Sequence, residues 1–138
     1  DIEVFTVEEP EPLDPSNNHA APTALIEEGR VYVHFGTEGT AAIDTKTGEV
    51  LWRNDALRVE HGSGPGNSPV AHGDRLFINF DGVDVQRVAA LDKKTGKLVW
   101  LRNRSGPVPV PPAERRAFVY EGFLNDQVVH IEQIALVL

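Results

Sequence analysis

The sequence predicts an all-β protein built from tandem four-stranded antiparallel units. The segment Ala42–Trp52 recurs as Ala90–Trp100, with Ala, Asp, Thr-Gly and Trp at matching places. Short apolar runs surround both copies, and the 12 Gly and 10 Pro of the chain separate many of these runs. A repeat spacing of about 20 to 50 residues, carried by β-type segments, is typical of a repeat array. One such unit cannot bury its own faces, so the repeat predicts units that stack on one another.

Composition limits the classes of function. A content of 41% hydrophobic and 25% charged residues indicates a globular chain. The net charge of −8 argues against a nucleic-acid partner, because no basic stripe could release phosphate counterions. The absence of Cys excludes disulfides and thiolate zinc sites. No apolar run approaches the roughly 18 residues of a membrane span, so none is expected.

Each unit is expected to contain four strands. In the first unit they are Thr23–Ile26, Val31–Phe35, Thr40–Ile43 and Val50–Arg53. In the second unit they are Pro69–Ala71, Leu76–Phe80, Arg87–Leu91 and Leu98–Leu101. Four-stranded antiparallel units in tandem are the blades of a β-propeller. The second strand of each unit is apolar on both faces, which predicts that each blade is packed between neighbours. His34 and Asn79 recur at the same register of these strands.

The repeated segment predicts a structural turn and a structural aromatic residue in each blade. The Asp carboxylate is expected to accept hydrogen bonds from the backbone N–H groups of the turn that it begins. The Gly is expected to adopt a positive φ and to close the turn with a bulge. The Trp lies on the outer strand and suits a seam between sheets, because it combines a large apolar ring with one donor. The six structural repeat residues are Asp44, Gly48, Trp52, Asp92, Gly96 and Trp100.

The rest of the chain departs from the repeat. We interpret residues 1–138 as one propeller fragment with blades at 22–54 and 68–103. Residues 1–21 are expected to be a linker with one strand at Ile2–Val7. Residues 104–138 read as a Pro-rich connector and a degenerate partial blade. Two whole blades plus partial ones are too few for a closed ring, which needs roughly four to eight. The chain begins at Asp1, which we read as a trimmed or processed sequence that could have lost a targeting segment.

The motif Ala-x-Asp-x-x-Thr-Gly-x-x-x-Trp resembles the PQQ-like, or quinoprotein-type, β-propeller repeat. The resemblance covers residues 22–103 well, and segments such as His61–Gly64 and Asp81–Gln86 resemble a bacterial, BamB-like branch. It implies a ring whose blades each line a central channel with their first strand. It also implies an exported protein, periplasmic or otherwise outside the cytoplasm.

Few residues carry a chemical signal of their own. Asp81 and Asp84 are weak candidates for a shared calcium ion, which prefers six to eight oxygen ligands. His19, His34 and His61 lack the tight spacing of a zinc site. The Gly62–Gly66 loop lacks the Lys-Ser/Thr of a phosphate-binding loop. No catalytic and no cofactor-binding residue is predicted.

Three functions remain open from the sequence. The leading prediction is a non-catalytic scaffold for a protein or peptide partner, hence not an enzyme and without a cofactor. The alternative is a fragment of a quinoprotein dehydrogenase that uses pyrroloquinoline quinone (PQQ) and calcium. The third is a structural fragment without activity, whose exposed strand edges favour self-association.

Overall fold

The computed structural model describes residues 1–27 and 29–104. The predicted Pro-rich connector and partial blade, from residue 105 onward, lie outside the described residues. In the part that is described, no helix is long and apolar enough to cross a membrane.

Two four-stranded antiparallel sheets make up the described fold, which confirms the all-β prediction. Blade 1 has the order β1-β2-β3-β4 and blade 2 the order β5-β6-β7-β8. Each observed strand begins and ends within two residues of its predicted bounds. Most of the small differences arise because the observed ladder continues into polar residues at the strand ends. The strands of blade 1 are Leu25–Glu27, Arg30–His34, Thr40–Asp44 and Val50–Asn54. The strands of blade 2 are Val70–His72, Arg75–Asp81, Gln86–Asp92 and Leu98–Asn103.

The turns that join β3 to β4 and β7 to β8 have the same hydrogen bonds. Asp44 Oδ1 accepts from the backbone N–H groups of Lys46 and Thr47, at 2.8 and 2.9 Å. Asp92 Oδ1 accepts from the equivalent groups of blade 2, at 3.0 and 2.9 Å. Both turns end at a glycine with a φ near +70° and are followed by a bulge in the ladder. A side chain is disfavoured at that φ, so the glycine is required by the backbone.

One hydrophobic core fills the seam between the blades. Leu25, Tyr32, Ala42 and Trp52 pair directly across β1 to β4 and therefore share one face of blade 1. That face lies against the alternate residues of β6 and β7. The buried core cluster consists of Tyr32, Ala42, Trp52, Val59, Leu76, Ile78, Phe80, Ala89 and Leu91. Packing between blades thus decides which side of each two-sided apolar strand is buried.

Trp52 connects the two blades. Its Nε1 donates a hydrogen bond of 2.9 Å to the carbonyl of Lys93, in the β7–β8 turn. Its ring lies directly over Gly96, where any Cβ would overlap the indole. Asn54 Nδ2 adds a hydrogen bond of 2.7 Å to the carbonyl of Gly96. The outer strand of blade 1 therefore holds the turn of blade 2 by packing and by two hydrogen bonds.

The outward face of blade 2 is much less covered. Trp100 is 37% exposed and Val70 is 44% exposed, whereas Trp52 is 8% exposed. The sequence predicted that both faces of each blade are packed. Among the described residues, this prediction is confirmed only for the two faces that meet in the seam. The reason is that blade 2 has no further described blade on its outer side.

The strand predicted at Ile2–Val7 is wrong, since this segment belongs to none of the described strands. Residues 1–21, here called the strap, are held by side-chain contacts instead of a ladder. Arg53 Nε donates to the carbonyl of Val4, and the Phe5 ring packs edge-on against Phe35 at 6.0 Å. The Ile2 side chain lies against Gly48. Ile2 and Phe5, two of the apolar residues that predicted a strand, therefore contact blade 1 through their side chains.

Candidate functional site

A partly buried polar cluster lies at the end of the seam where the β2–β3 turn, the β6–β7 turn and the crossover 55–69 meet. It consists of His34, His61, Asp81 and Arg104 and is called the crossover-end cluster below. His34 Nε2, His61 Nε2 and Asp81 Oδ1 are buried and have no hydrogen-bond partner among the described residues. Unpaired buried polar atoms are uncommon, because each loses its hydration without a replacement. Their clustering marks this end of the seam as the candidate functional site.

His34 is the last residue of β2 and is 2% exposed. Its Nδ1 lies 2.9 Å from Thr40 Oγ1, and its ring packs edge-on against Phe80 of blade 2 at 5.4 Å. Burial, followed by the nearby His61, lowers the pKa of His34 to about 4. The imidazole is therefore neutral near pH 7, which suits a position inside the seam.

Asp81 ends β6 and forms an ion pair with Arg104, in which Nη1 lies 2.6 Å from Oδ2. Burial raises the pKa of Asp81, and the charge and hydrogen bond of Arg104 oppose that rise. Arg104 directly follows β8, so the pair joins two strands that are not neighbours in the sheet. One carboxylate oxygen is thus paired, and the other is buried without a hydrogen-bond partner in the part of the chain that the structure describes.

His61 lies in the crossover and is held there by its backbone. Its N–H donates to Glu11 Oε1 at 2.6 Å, and its ring packs against Gly36 so closely that a Cβ at Gly36 would overlap Nε2. The strap thus helps to position His61. The adjacent Gly-rich loop is also held by the strap, because Asn17 Nδ2 donates to the carbonyls of Ser63 and Pro65.

The two candidate calcium ligands have different partners. Asp84 Oδ1 accepts from the backbone N–H of Glu60 at 2.9 Å, whereas Asp81 is engaged with Arg104. Among the described residues, no group of three His, Asp or Glu side chains is arranged to hold a metal ion. The crossover-end cluster offers two imidazole nitrogens and one free carboxylate oxygen, whereas calcium prefers oxygens. The described residues therefore do not fit a calcium–quinone site.

An open groove lies beside this end, between the strap and the β2–β3 turn. Its volume is about 450 Å³, and its lining includes five carboxylates and one guanidinium group. Glu38 Oε1 accepts from the backbone N–H of Glu11 at 3.3 Å, so part of the acidic lining also holds the strap. The charged lining residues are Glu8, Glu9, Glu11, Glu38, Asp55 and Arg58.

Sequence reasoning missed the crossover-end cluster as a unit. The recurrence of His34 and Asn79 at one register was a signal that the strand end is polar. It did not reveal that His34 faces the seam, because that depends on which face the neighbouring blade covers. The position of His61 depends on the path of the crossover, which no repeat pattern predicts. His19 and His72 belong to neither the cluster nor the groove lining.

A family of known proteins matches the chain over both blades. The family described as "Outer membrane protein assembly factor BamB" matches residues 8–133. The dehydrogenase subunit of the quinone-dependent alcohol dehydrogenase of Gluconacetobacter polyoxogenes is 32% identical over 117 residues, which is 72% of this chain and 14% of that protein. The quinoprotein alcohol dehydrogenase PedH of Pseudomonas putida is 35% identical over 78 residues, which is 55% of this chain and 13% of that protein.

Solved structures show the same fold. A europium-containing methanol dehydrogenase is similar with a TM-score of 0.53 and 26% identity, over 62% of this chain and 15% of that chain. The quinohemoprotein alcohol dehydrogenase of Comamonas testosteroni has a TM-score of 0.53 and 20% identity, over 72% of this chain and 17% of that chain. The second likeness shows the fold alone, because its identity is low.

These matches correct two expectations from the sequence. The prediction that the chain is not an enzyme is wrong, since the relatives are alcohol dehydrogenases. The prediction of no cofactor is also wrong, since the same relatives are quinoproteins or quinone-dependent enzymes. The chain spans about one seventh of the length of the curated relatives that it matches. Because the family match extends from residue 8 to residue 133, across both blades, the chain belongs to the BamB-like family of PQQ-type β-propeller repeat proteins.

Proposed function

We propose that this chain forms two consecutive blades of a quinoprotein alcohol dehydrogenase propeller. The observation that carries the proposal is the 32% identity to a quinone-dependent dehydrogenase subunit over 117 residues. The closed seam between the blades supports it, because a propeller requires consecutive blades that pack face to face. We divide the described part into the strap, at 1–21, and blades at 22–54 and 68–103.

In such an enzyme, a bound quinone cofactor would supply the electron acceptor for alcohol oxidation. The described residues do not fit that group, so we expect its ligands to come from other parts of the enzyme. The chain's own part is to provide propeller wall, to join two blades through Trp52 and to present the crossover-end cluster on a loop-rich face. Loops on a rigid scaffold are where binding residues concentrate.

A blade exchange tests this proposal. The matched region of the Gluconacetobacter polyoxogenes subunit is replaced by the corresponding residues of this chain, and dye-linked alcohol oxidation is measured with the cofactor added. We expect the exchanged enzyme to keep measurable activity. A matched exchanged enzyme that also carries Trp52→Ala should give a lower yield of folded protein, because the contact of Trp52 with blade 2 is then lost. An exchanged protein that is folded and binds the quinone but oxidises no alcohol would contradict the proposal.

Binding of a protein partner is a second candidate. The family description names an outer membrane assembly factor, and the acidic groove offers a surface for a cationic segment. The test is capture of partners from an envelope extract by the chain and by a Glu8→Lys, Glu9→Lys variant. Glu49→Lys, at the other end of blade 1, is the matched control. Partners retained equally by all three proteins would contradict binding at the groove.

We also propose that the protein is exported to the cell envelope, as the family description suggests. Fractionation of cells that express the complete gene product tests this. Recovery with the cytoplasmic fraction would contradict it.

A further inference from the structure

A cavity lies between the two blades at the end of the seam opposite the crossover-end cluster. Blade 1 contributes residues around the β1–β2 turn, and blade 2 contributes its β5–β6 and β7–β8 turns. The volume of the cavity is about 240 Å³. Both of its walls belong to the described seam, and it is called the turn-end cavity below. The lining residues are Glu27, Arg30, Tyr32, Gly73, Asp74, Lys93 and Lys94.

The two carboxylates of the lining are already paired with cations. Lys93 Nζ forms an ion pair with Glu27 Oε2 and donates to the carbonyl of Gly73 at 2.8 Å. Asp74 Oδ2 lies 3.1 Å from Arg75 Nη1, and the Asp74 side chain is 72% exposed. An anion that enters the turn-end cavity therefore meets no unpaired carboxylate among these lining residues.

Three donor groups of the lining have no partner of their own. In the part of the chain that the structure describes, the side chains of Arg30, Tyr32 and Lys94 take part in no hydrogen bond and no ion pair. Tyr32 is 0% exposed, and its ring packs against Trp52 with the centroids 6.1 Å apart. The hydroxyl is the polar tip of this side chain, and a buried tyrosine hydroxyl usually has a hydrogen-bond partner. Its lack of one indicates that the cavity receives a ligand.

We propose that the turn-end cavity binds the phosphate group of a small phosphomonoester. The Arg30 guanidinium offers parallel N–H groups that suit two phosphate oxygens. The Lys94 ammonium adds a second positive charge, and the Tyr32 hydroxyl donates a third hydrogen bond. This inference goes beyond the proposed function and does not rest on it, because binding is measured without any activity.

Charge and size favour a phosphomonoester over other anions. The two unpaired cations, Arg30 and Lys94, match the charge of a phosphate dianion, whereas a carboxylate would leave one of them unpaired. The cavity is larger than a phosphate ion, so it has room for a small organic group as well. The net charge of −8 repels anions from the chain as a whole, so binding of an anion has to come from donors at short range.

Titration calorimetry of the folded chain with glycerol 3-phosphate, inorganic phosphate and acetate tests the proposal. We expect a Kd on the order of 1 mM for glycerol 3-phosphate, weaker binding of inorganic phosphate and no measurable binding of acetate. A folded chain that does not bind glycerol 3-phosphate, or that binds acetate equally well, would overturn the proposal. Tighter binding of inorganic phosphate than of glycerol 3-phosphate would overturn the assignment to a phosphomonoester.

Substitutions of the donors assign the binding to the turn-end cavity. Tyr32→Phe removes the hydroxyl and keeps the ring that packs against Trp52, so the seam should stay closed. It should weaken binding of glycerol 3-phosphate by about tenfold, the loss expected for one hydrogen bond to a charged group. Lys94→Gln should weaken binding by a similar factor. Unchanged binding by Tyr32→Phe would overturn the proposal.

The matched control is Lys97→Gln. Lys97 is exposed, directly precedes β8 and does not line the cavity, yet its substitution removes the same charge as Lys94→Gln. We expect this variant to bind glycerol 3-phosphate nearly as the unmodified chain does. Equal losses from Lys94→Gln and Lys97→Gln would show a general effect of charge and would overturn binding in the cavity.

Discussion

Blades 1 and 2 have the same turn and the same aromatic residue, yet they differ in what covers the aromatic residue. Trp52 is 8% exposed and donates to a carbonyl of the next blade, whereas Trp100 is 37% exposed. The local chemistry of the two repeats is nearly identical. The difference teaches that the Trp of this motif is stabilised by its neighbour and only partly by its own blade.

Replacement of the two tryptophans should produce the largest difference. Trp52→Ala removes a buried aromatic residue and should lower the free energy of unfolding by about 3–5 kcal/mol. Trp100→Ala removes a half-exposed ring and should lower it by about 1 kcal/mol at dilute concentration. Urea unfolding of both variants measures the two values. Equal losses would contradict the assignment of Trp52 to the seam.

The two turn glycines extend the comparison. Gly96→Ala should destabilise by about 3 kcal/mol, because the new Cβ overlaps the Trp52 ring and also strains the positive φ. At Gly48 a Cβ would lie 3.2 Å from Ile2 Cδ1, at the movable end of a side chain. Gly48→Ala should therefore cost about 1–2 kcal/mol, from the positive φ alone. Thermal unfolding measures both, and a reversed order would show that the seam is looser than its geometry indicates.

A decrease in pH should destabilise the protein through His34 of blade 1. The residue at the same register of blade 2 is Asn79, which does not titrate. The pKa of His34 is lowered from 6.5 to about 4, so the unfolded chain binds this proton more readily than the folded chain. Stability should fall as pH decreases from 6.5 to about 4, by about 3 kcal/mol at most. The groups that face His34 are the Gly39 backbone and the side chains of Thr40, His61 and Phe80.

The control for this experiment is His34→Asn, which makes the two registers alike. The variant should lose the part of the pH dependence between 6.5 and 4 that comes from His34. The part that comes from other titrating groups, including Asp81, should remain. An unchanged pH dependence in the variant would contradict a neutral, buried His34.

The smallest difference concerns the two turn carboxylates. The hydrogen bond from the Thr95 hydroxyl is the largest cause of the lowered pKa of Asp92, whereas backbone N–H groups lower that of Asp44 most. Thr95→Val should therefore raise the pKa of Asp92 more than Thr47→Val raises that of Asp44. Carboxyl titration by NMR measures both shifts. The stability from these lowered pKa values is lost as pH falls through the acidic range.

Much of each blade could be predicted from the sequence, because its elements depend on neighbours along the chain. The Asp and Gly of the repeat act within one turn, and the alternating apolar residues form adjacent strands. The predicted strands missed ends such as Asn54 and Asp81, because a ladder continues through polar residues once the partner strand is present. The strand predicted at Ile2–Val7 was wrong for the related reason that none of the described strands pairs with it.

The candidate site could not be predicted in the same way. His34, His61 and Asp81 come from two strands and a crossover, and their shared burial arises only where the blades meet. Their residue types are unremarkable in sequence, and no spacing rule connects them. The acidic groove likewise depends on the strap lying beside the β2–β3 turn.

The amino-acid sequence by itself determined the blades: strand order, turn geometry and the place of each Trp follow from short-range hydrogen bonding and steric limits. Only the tertiary structure decided that Trp52 is buried and Trp100 is exposed, that the strap packs without forming the predicted strand, and that His34 is neutral. These are questions of burial, and burial depends on surfaces that are distant along the chain and close in space.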